Sequence, residues 1–108
     1  MNTIETIMIR VADQQKAKEF YIKLGFQLML EAPMGNGESW IQLGLPGQAT
    51  SIALMKSQGI ICETYDIEKE IGELLAKGIE ASKIDQTPWG KFSWVKDPDG
   101  NGISLHQK

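Results

Sequence analysis

The sequence predicts an α+β fold: two βαβββ modules that together form a curved mixed sheet. Three observations carry this expectation. A strand-like stretch precedes each of two helical stretches, with a period of two in the first. Each helix is framed by an Asp before it and a Gly after it, Asp13 with Gly25 and Asp66 with Gly78, at the same spacing. Pro46-Gly47 and Pro98-Asp99-Gly100 punctuate comparable places further along each half. A shift of about 53 residues maps one half onto the other, in architecture rather than in identity. The 108 residues are expected to form a single domain, with module one over about 1–56 and module two over about 57–108.

Each element has a local reason. In TIMIRV, Ile7, Ile9 and Val11 alternate with Thr6, Met8 and Arg10, which predicts a strand. Asp13 is a good N-cap, and Ala17, Phe20, Tyr21 and Leu24 give the helix one apolar face. Gly25 stops it. FQLMLE predicts a strand, and Pro33, Gly35 and Gly37 predict a loop. ESWIQLGL and ATSIALMK predict two more strands. The second half repeats the order. GIICETY is a strand, Asp66 caps a helix with Ile67, Ile71, Leu74 and Leu75 as its stripe, and Gly78 ends it. IEASKI, KFSWVK and GISLHQ are three further strands, separated by the turns DQTPWG and DPDGN.

Composition narrows the function. Apolar residues make up 42% and charged residues 23%, which is ordinary for a globular domain. A net charge of −3 without a basic block excludes nucleic acid as the main partner. No stretch approaches the roughly 20 apolar residues of a membrane span. MNTIETIMIR has neither a basic start nor a long apolar run, so a cytoplasmic protein is expected. Cys62 is the single cysteine, which leaves no disulfide framework and no Cys-rich metal site. It reads as a small buried apolar group.

Two motifs then place the chain. IRVADQQKAKEFYIKLGF resembles the opening of the vicinal oxygen chelate superfamily, the group of glyoxalase I, the bleomycin resistance proteins and the extradiol dioxygenases. VKDPDGNGISL resembles its closing strand pair. The resemblance covers nearly the whole chain and implies the glyoxalase/bleomycin resistance-like fold. Its enzymes hold a divalent metal with His or Gln and Glu, two side chains from each module. Carried over, these positions fall on Thr6, Gln42, Gly59 and Ser104. Such a set lacks the imidazoles, thiolates or carboxylates that Zn²⁺ or Ni²⁺ requires. No metal, cofactor or catalytic residue is therefore expected.

The expected function is that of a metal-free small-molecule-binding protein resembling the bleomycin resistance branch. It would sequester a planar or cationic ligand in a cup at a homodimer interface. Strand parity aims Trp40 and Gln42 at the cup together, with Arg10 and Ser104 facing the same way and Trp94 on the corresponding strand of the second half. Tryptophan offers stacking area for such ligands, with core or dimer packing as the plain alternative. Arg10 could meet a ligand anion or pair with Glu31 or Glu38. His106, the only histidine, either reaches the cup mouth or is a solvated strand tip near the C-terminus. Trp89 sits in a loop as a lid or interface residue. The alternative function is a metal-dependent lyase, isomerase or dioxygenase of the same superfamily. A third reading is a structural or regulatory dimer with a vestigial cup.

Overall fold

A computed structural model describes residues 1–108. It contains two compact units, Thr6–Gln58 and the combination of Met1–Glu5 with Gly59–Lys108. The fold is α+β, one helix and four strands to a unit, with the first strand, β1 (Thr3–Arg10), divided between the two.

The first unit continues with α1 (Gln14–Leu24), β2 (Gln27–Gly35), β3 (Glu38–Gly44) and β4 (Ser51–Met55). Its strands lie in the order β2-β3-β4-β1. β1 runs parallel to β4, and the other pairs are antiparallel, which makes the sheet mixed. Asp13 caps α1 by accepting the Lys16 N–H, and Gly25 closes it at a φ of 123°, where a Cβ would be strained. The core is Ile41, Leu43 and Leu54, with Ile9, Val11, Ala17, Tyr21, Phe26 and Ile52 packed on it. The expected helix stripe is only half used. Phe20 and Leu24 are 59% and 62% exposed. The helix meets the sheet along Gln14, Ala17 and Tyr21. The Gln14 amide donates to the Ser39 and Leu54 carbonyls and accepts the Ser39 N–H, which fixes that line and leaves Phe20 and Leu24 on its flank.

The expected loop at Pro33 is strand instead. β2 continues to Gly35 and turns through Asn36-Gly37, both at positive φ, as a tight hairpin needs. Proline is tolerated there because β2 is the terminal strand of the order and its outer edge needs no N–H.

The second unit holds β5 (Gly59–Glu63), α2 (Ile67–Ala76), β6 (Asp85–Thr87), β7 (Gly90–Lys96) and β8 (Gly102–Gln107). The strand order is β5-β8-β7-β6, with β5 parallel to β8. Asp66 caps α2 through the Lys69 N–H, and the Gln107 amide oxygen accepts the Ile67 N–H. Ile67, Leu74 and Leu105 form the core, with Ile71, Ile84 and Val95 beside them. Leu75, expected in the stripe, is 55% exposed.

IEASKI does not form the expected strand, and the short β6 falls inside the stretch read as a turn. Ser82 explains the shift. Its N–H donates to the Trp94 carbonyl, while its hydroxyl, not its carbonyl, accepts the Trp94 N–H. The Ser93 hydroxyl then takes the Ser82 carbonyl. A side chain thus replaces a ladder partner, and regular pairing resumes only at Asp85. At the DPDGN turn, the Asp97 carboxylate accepts the Asp99 and Asn101 N–H groups and the Asn101 amide.

Candidate functional site

The strand registers arrange the candidate residues in rungs across the sheet face opposite each helix. In the first unit, Thr6 pairs with Ser51, and Met8 and Gln42 both pair with Ala53. Arg10 pairs with Met55. Beyond the Gln42–Ala53 pair the Gln14 amide bridges the Ser39 and Leu54 carbonyls of β3 and β4. Ile41 and Leu43 point the other way into the core, so Trp40 and Gln42 share the face opposite α1, as their parity predicts.

A chain of hydrogen bonds runs across this face. The Trp40 indole N–H donates to the Gln42 amide oxygen at 3.1 Å. The Gln42 amide nitrogen donates to the Ser51 hydroxyl at 2.8 Å. Ser51 and Thr6 share a hydroxyl–hydroxyl bond at 3.0 Å. Thr6 is fully buried and Ser51 nearly so, which makes the far end of the chain a fixed anchor. The near end holds the Trp40 ring in one orientation. Ser51 has no place in the sequence-level argument, although it alternates with Ala53 and Met55 in ATSIALMK. Its partner Thr6 is 45 residues away, and only the parallel register brings them together.

Arg10 makes neither of the ion pairs the sequence offered. Glu31 is bound by the Gln15 amide and the Lys18 ammonium, which together hold its carboxyl below the usual range. Glu38 accepts the Lys56 N–H. The Arg10 side chain is exposed and its guanidinium has no hydrogen-bond or ion-pair partner.

In the second unit, Ser104 pairs with Ile61 and Trp94, and His106 pairs with Glu63 and Phe92. His106 is not the solvated strand tip that its place near the C-terminus suggests. It is 5% exposed. Its Nδ1 lies 2.8 Å from the Glu5 carboxylate, and its Nε2 lies 2.8 Å from the Trp89 carbonyl. Phe92 stacks on the ring with centroids 4.2 Å apart and planes within 3°. Both nitrogens face oxygen acceptors, so both bonds form together only when the ring carries two hydrogens. Neither nitrogen is open to a further ligand. Glu5 and Phe92 are invisible as partners in the sequence, Glu5 because it lies 101 residues from His106. Ser104 is half-buried and its hydroxyl makes no hydrogen bond. Trp94 is 47% exposed beside Ile79, Ser82 and Lys96, and Trp89 is 61% exposed at the β6–β7 turn.

The donor set does not fit a divalent metal. The Gln42 oxygen already accepts the indole N–H, and the Thr6 hydroxyl is buried against Ser51. Gly59 has no side chain, and Ser104 offers one neutral hydroxyl. The registers correct the carry-over as well. Ser104 lies between a β7 and a β5 residue as Ala53 lies between Gln42 and Met8, so its counterpart in the first unit is Ala53, and the counterpart of Gln42 is Trp94. Alanine has no donor, so the corrected set is poorer still. No three His, Cys, Asp or Glu side chains cluster anywhere in the chain. Cys62 is buried, and desolvation pushes its thiol pKa up, away from a reactive thiolate. No helix is long and apolar enough to cross a membrane.

Comparison with known proteins places this geometry. The profile of the Glyoxalase/Bleomycin resistance protein/Dioxygenase superfamily matches residues 3–105. The chain is 34% identical to the uncharacterized protein YetH of Bacillus subtilis (strain 168), over 96% of its own length and 97% of the relative's. Among solved structures, methylmalonyl-CoA epimerase from Mycobacterium tuberculosis superposes with a TM-score of 0.82 at 21% identity, over 96% of this chain and 86% of that one. A hypothetical protein from Bacillus halodurans C-125 superposes with a TM-score of 0.77 at 14% identity, over 99% of this chain and 94% of that one.

Proposed function

The chain belongs to the Glyoxalase/Bleomycin resistance protein/Dioxygenase superfamily, and from that premise we propose that it is a metal-free protein that binds a planar organic small molecule against Trp40. The observation that carries this reading is the hydrogen-bond chain from Trp40 through Gln42 and Ser51 to Thr6. It consumes neutral donors to orient an aromatic ring, and Thr6 at its far end stands where the resemblance puts a metal ligand. A preoriented indole offers stacking area without further loss of rotamer freedom. The epimerase likeness supports the fold only, so no epimerase chemistry is transferred.

The protein is proposed to act as a homodimer. Leu28, Met29, Leu30 and Met34 of the terminal strand β2 are all exposed, and an apolar edge of this kind calls for cover. A monomer mass by light scattering at micromolar concentration would refute the pairing.

Two measurements test the function. Elemental analysis of untagged protein should give transition metal far below one ion per chain. Calorimetry with naphthalene-2-carboxamide, a neutral planar probe, should show binding that Trp40→Ala weakens about tenfold, the effect of losing one stacked ring. One Zn, Ni, Fe or Mn per chain, or carboxamide binding indifferent to Trp40, would overturn the reading.

A further inference from the structure

The sheet of the second unit has one open position on its edge. Trp94 turns its N–H and C=O away from β8, and Ser82 takes both, the first with its hydroxyl and the second with its own N–H. The β7–β8 register runs without a shift from Lys91↔Gln107 to Lys96↔Gly102. Alternation along an antiparallel strand therefore turns the Lys96 N–H and C=O to the same outer edge as those of Trp94. The Asp97 N–H, one residue on, points back and donates to the Asn101 carbonyl. No group of the chain hydrogen-bonds the Lys96 N–H or C=O. Lys96 is exposed and ends β7.

This edge opens on a groove of about 860 Å³, lined by Lys96 and its neighbours on one side and by residues 78–82 on the other. The volume lies within the range of ligand sites, roughly 300–1,000 Å³. The groove exists because the Ser82 hydroxyl interrupts the ladder and residues 79–81 run on without pairing to β7. Ile79, Val95 and Ile103 give it apolar surface. Its charged residues are Glu80, Asp97 and Lys96, two acids against one base. Glu80 and Lys96 make no ion pair, and the Asp97 carboxylate stays charged while it accepts the N–H groups of its own turn. An acidic occupant is therefore disfavoured.

We propose that this groove binds an extended peptide segment with aliphatic and basic side chains, its main chain pairing with Lys96 and an aliphatic side chain packing on Val95 and Ile103. A strand edge presents one donor and one acceptor at the spacing that a single residue of an extended peptide returns. A purely apolar molecule would leave both unpaired in the groove, at a cost. The site lies wholly in the second unit, and it stands independently of the ligand proposed for Trp40.

The probe is the capped pentapeptide acetyl-Val-Lys-Val-Lys-Val-amide, titrated into the intact ¹⁵N-labelled protein by NMR. Shift changes should centre on Val95, Lys96 and Ile103, and deuterium exchange of the Lys96 N–H should slow as the peptide saturates. The fully N-methylated peptide should bind at least about tenfold more weakly, the loss of two main-chain hydrogen bonds. The analogue with Glu for both lysines should also bind more weakly, by a margin that salt narrows. Lys96→Pro deletes the edge donor without touching the β8 ladder, and should remove the advantage of the parent peptide over its N-methylated form. If that variant does not fold, the three peptides on the parent protein decide the matter. Equal binding of the N-methylated peptide, tighter binding of the acidic one, shifts centred away from Lys96 or no shift at millimolar peptide would each overturn the proposal. Protection of the Lys96 N–H that grows with protein concentration alone would assign the edge to a second copy of the chain and overturn it too.

Discussion

The rung Met55–Arg10 on β4 and β1 of the first unit occupies the place of His106–Glu63 on β8 and β5 of the second. The strands follow the same path and the parallel pairs have the same sense, yet the two rungs do opposite things. In the first, a buried thioether lies in register with an exposed guanidinium that has no hydrogen-bond or ion-pair partner. In the second, the Phe92 ring is laid flat on an imidazole whose nitrogens are both taken, and Glu63 is drawn to Lys108. One rung leaves a charge without a partner. The other spends the same positions on holding the protein together. A repeated architecture therefore does not carry a repeated role, and the difference lies in a handful of side chains at equivalent registers.

Removing the central polar group of each face gives the sharpest break of this comparison. His106→Ala should cost about 3 kcal/mol, because it deletes the Phe92 stack and the buried hydrogen bonds to the Glu5 carboxylate and the Trp89 carbonyl. Ser51→Ala in the first unit should cost about 1–2 kcal/mol, since Gln42 and the fully buried Thr6 lose a neutral partner. Adding Thr6→Val to Ser51→Ala should recover part of that loss, because a matched apolar pair strands fewer polar atoms. Urea denaturation measures all three. Equal costs for His106→Ala and Ser51→Ala would erase the distinction between a stacked imidazole clamp and a hydroxyl relay.

The sequence goes a long way towards the fold and less far towards the site. The Asp13–Gly25 and Asp66–Gly78 frames locate both helices because capping is local chemistry, decided within four residues. The parity that aims Trp40 and Gln42 together holds for the same reason. What the sequence hides is whatever register decides. Whether Phe20 or Tyr21 of one helix face touches the sheet depends on the Gln14 clamp to strands 25 and 40 residues away. IEASKI has strand-like composition but loses its ladder to the Ser82 hydroxyl. The fate of His106 could not be read at all, since its carboxylate partner enters from the opposite end of the chain. Arg10 shows the converse. Its two candidate partners were legible, but only the structure shows both engaged elsewhere.

The smallest expected effect concerns the carboxylates that tie each helix to its surroundings. Glu31 links α1 to β2, and hydrogen bonds from Gln15 and then Lys18 lower its pKa. Glu70 on α2 is lowered chiefly by the N-terminal amine, with Thr64 adding a further hydrogen bond. A carboxylate whose folded-state pKa is depressed contributes stability that is complete above its unfolded value, about 4.3 for Glu. That contribution fades as the pH falls through the lower folded-state value. Both groups should therefore steepen acid unfolding below about pH 4 and leave stability near neutrality independent of pH. Glu31→Gln and Glu70→Gln should each cost less than about 1 kcal/mol at pH 7, within the range of solvent-accessible ion pairs, and should flatten the acid limb. The two should act additively, because each lies in a different unit. Thermal melts from pH 7 down to pH 3 on the two single variants and the double variant check this. An acid limb as steep in the double variant as in the parent would show that neither carboxylate tie sets the acid response of its unit.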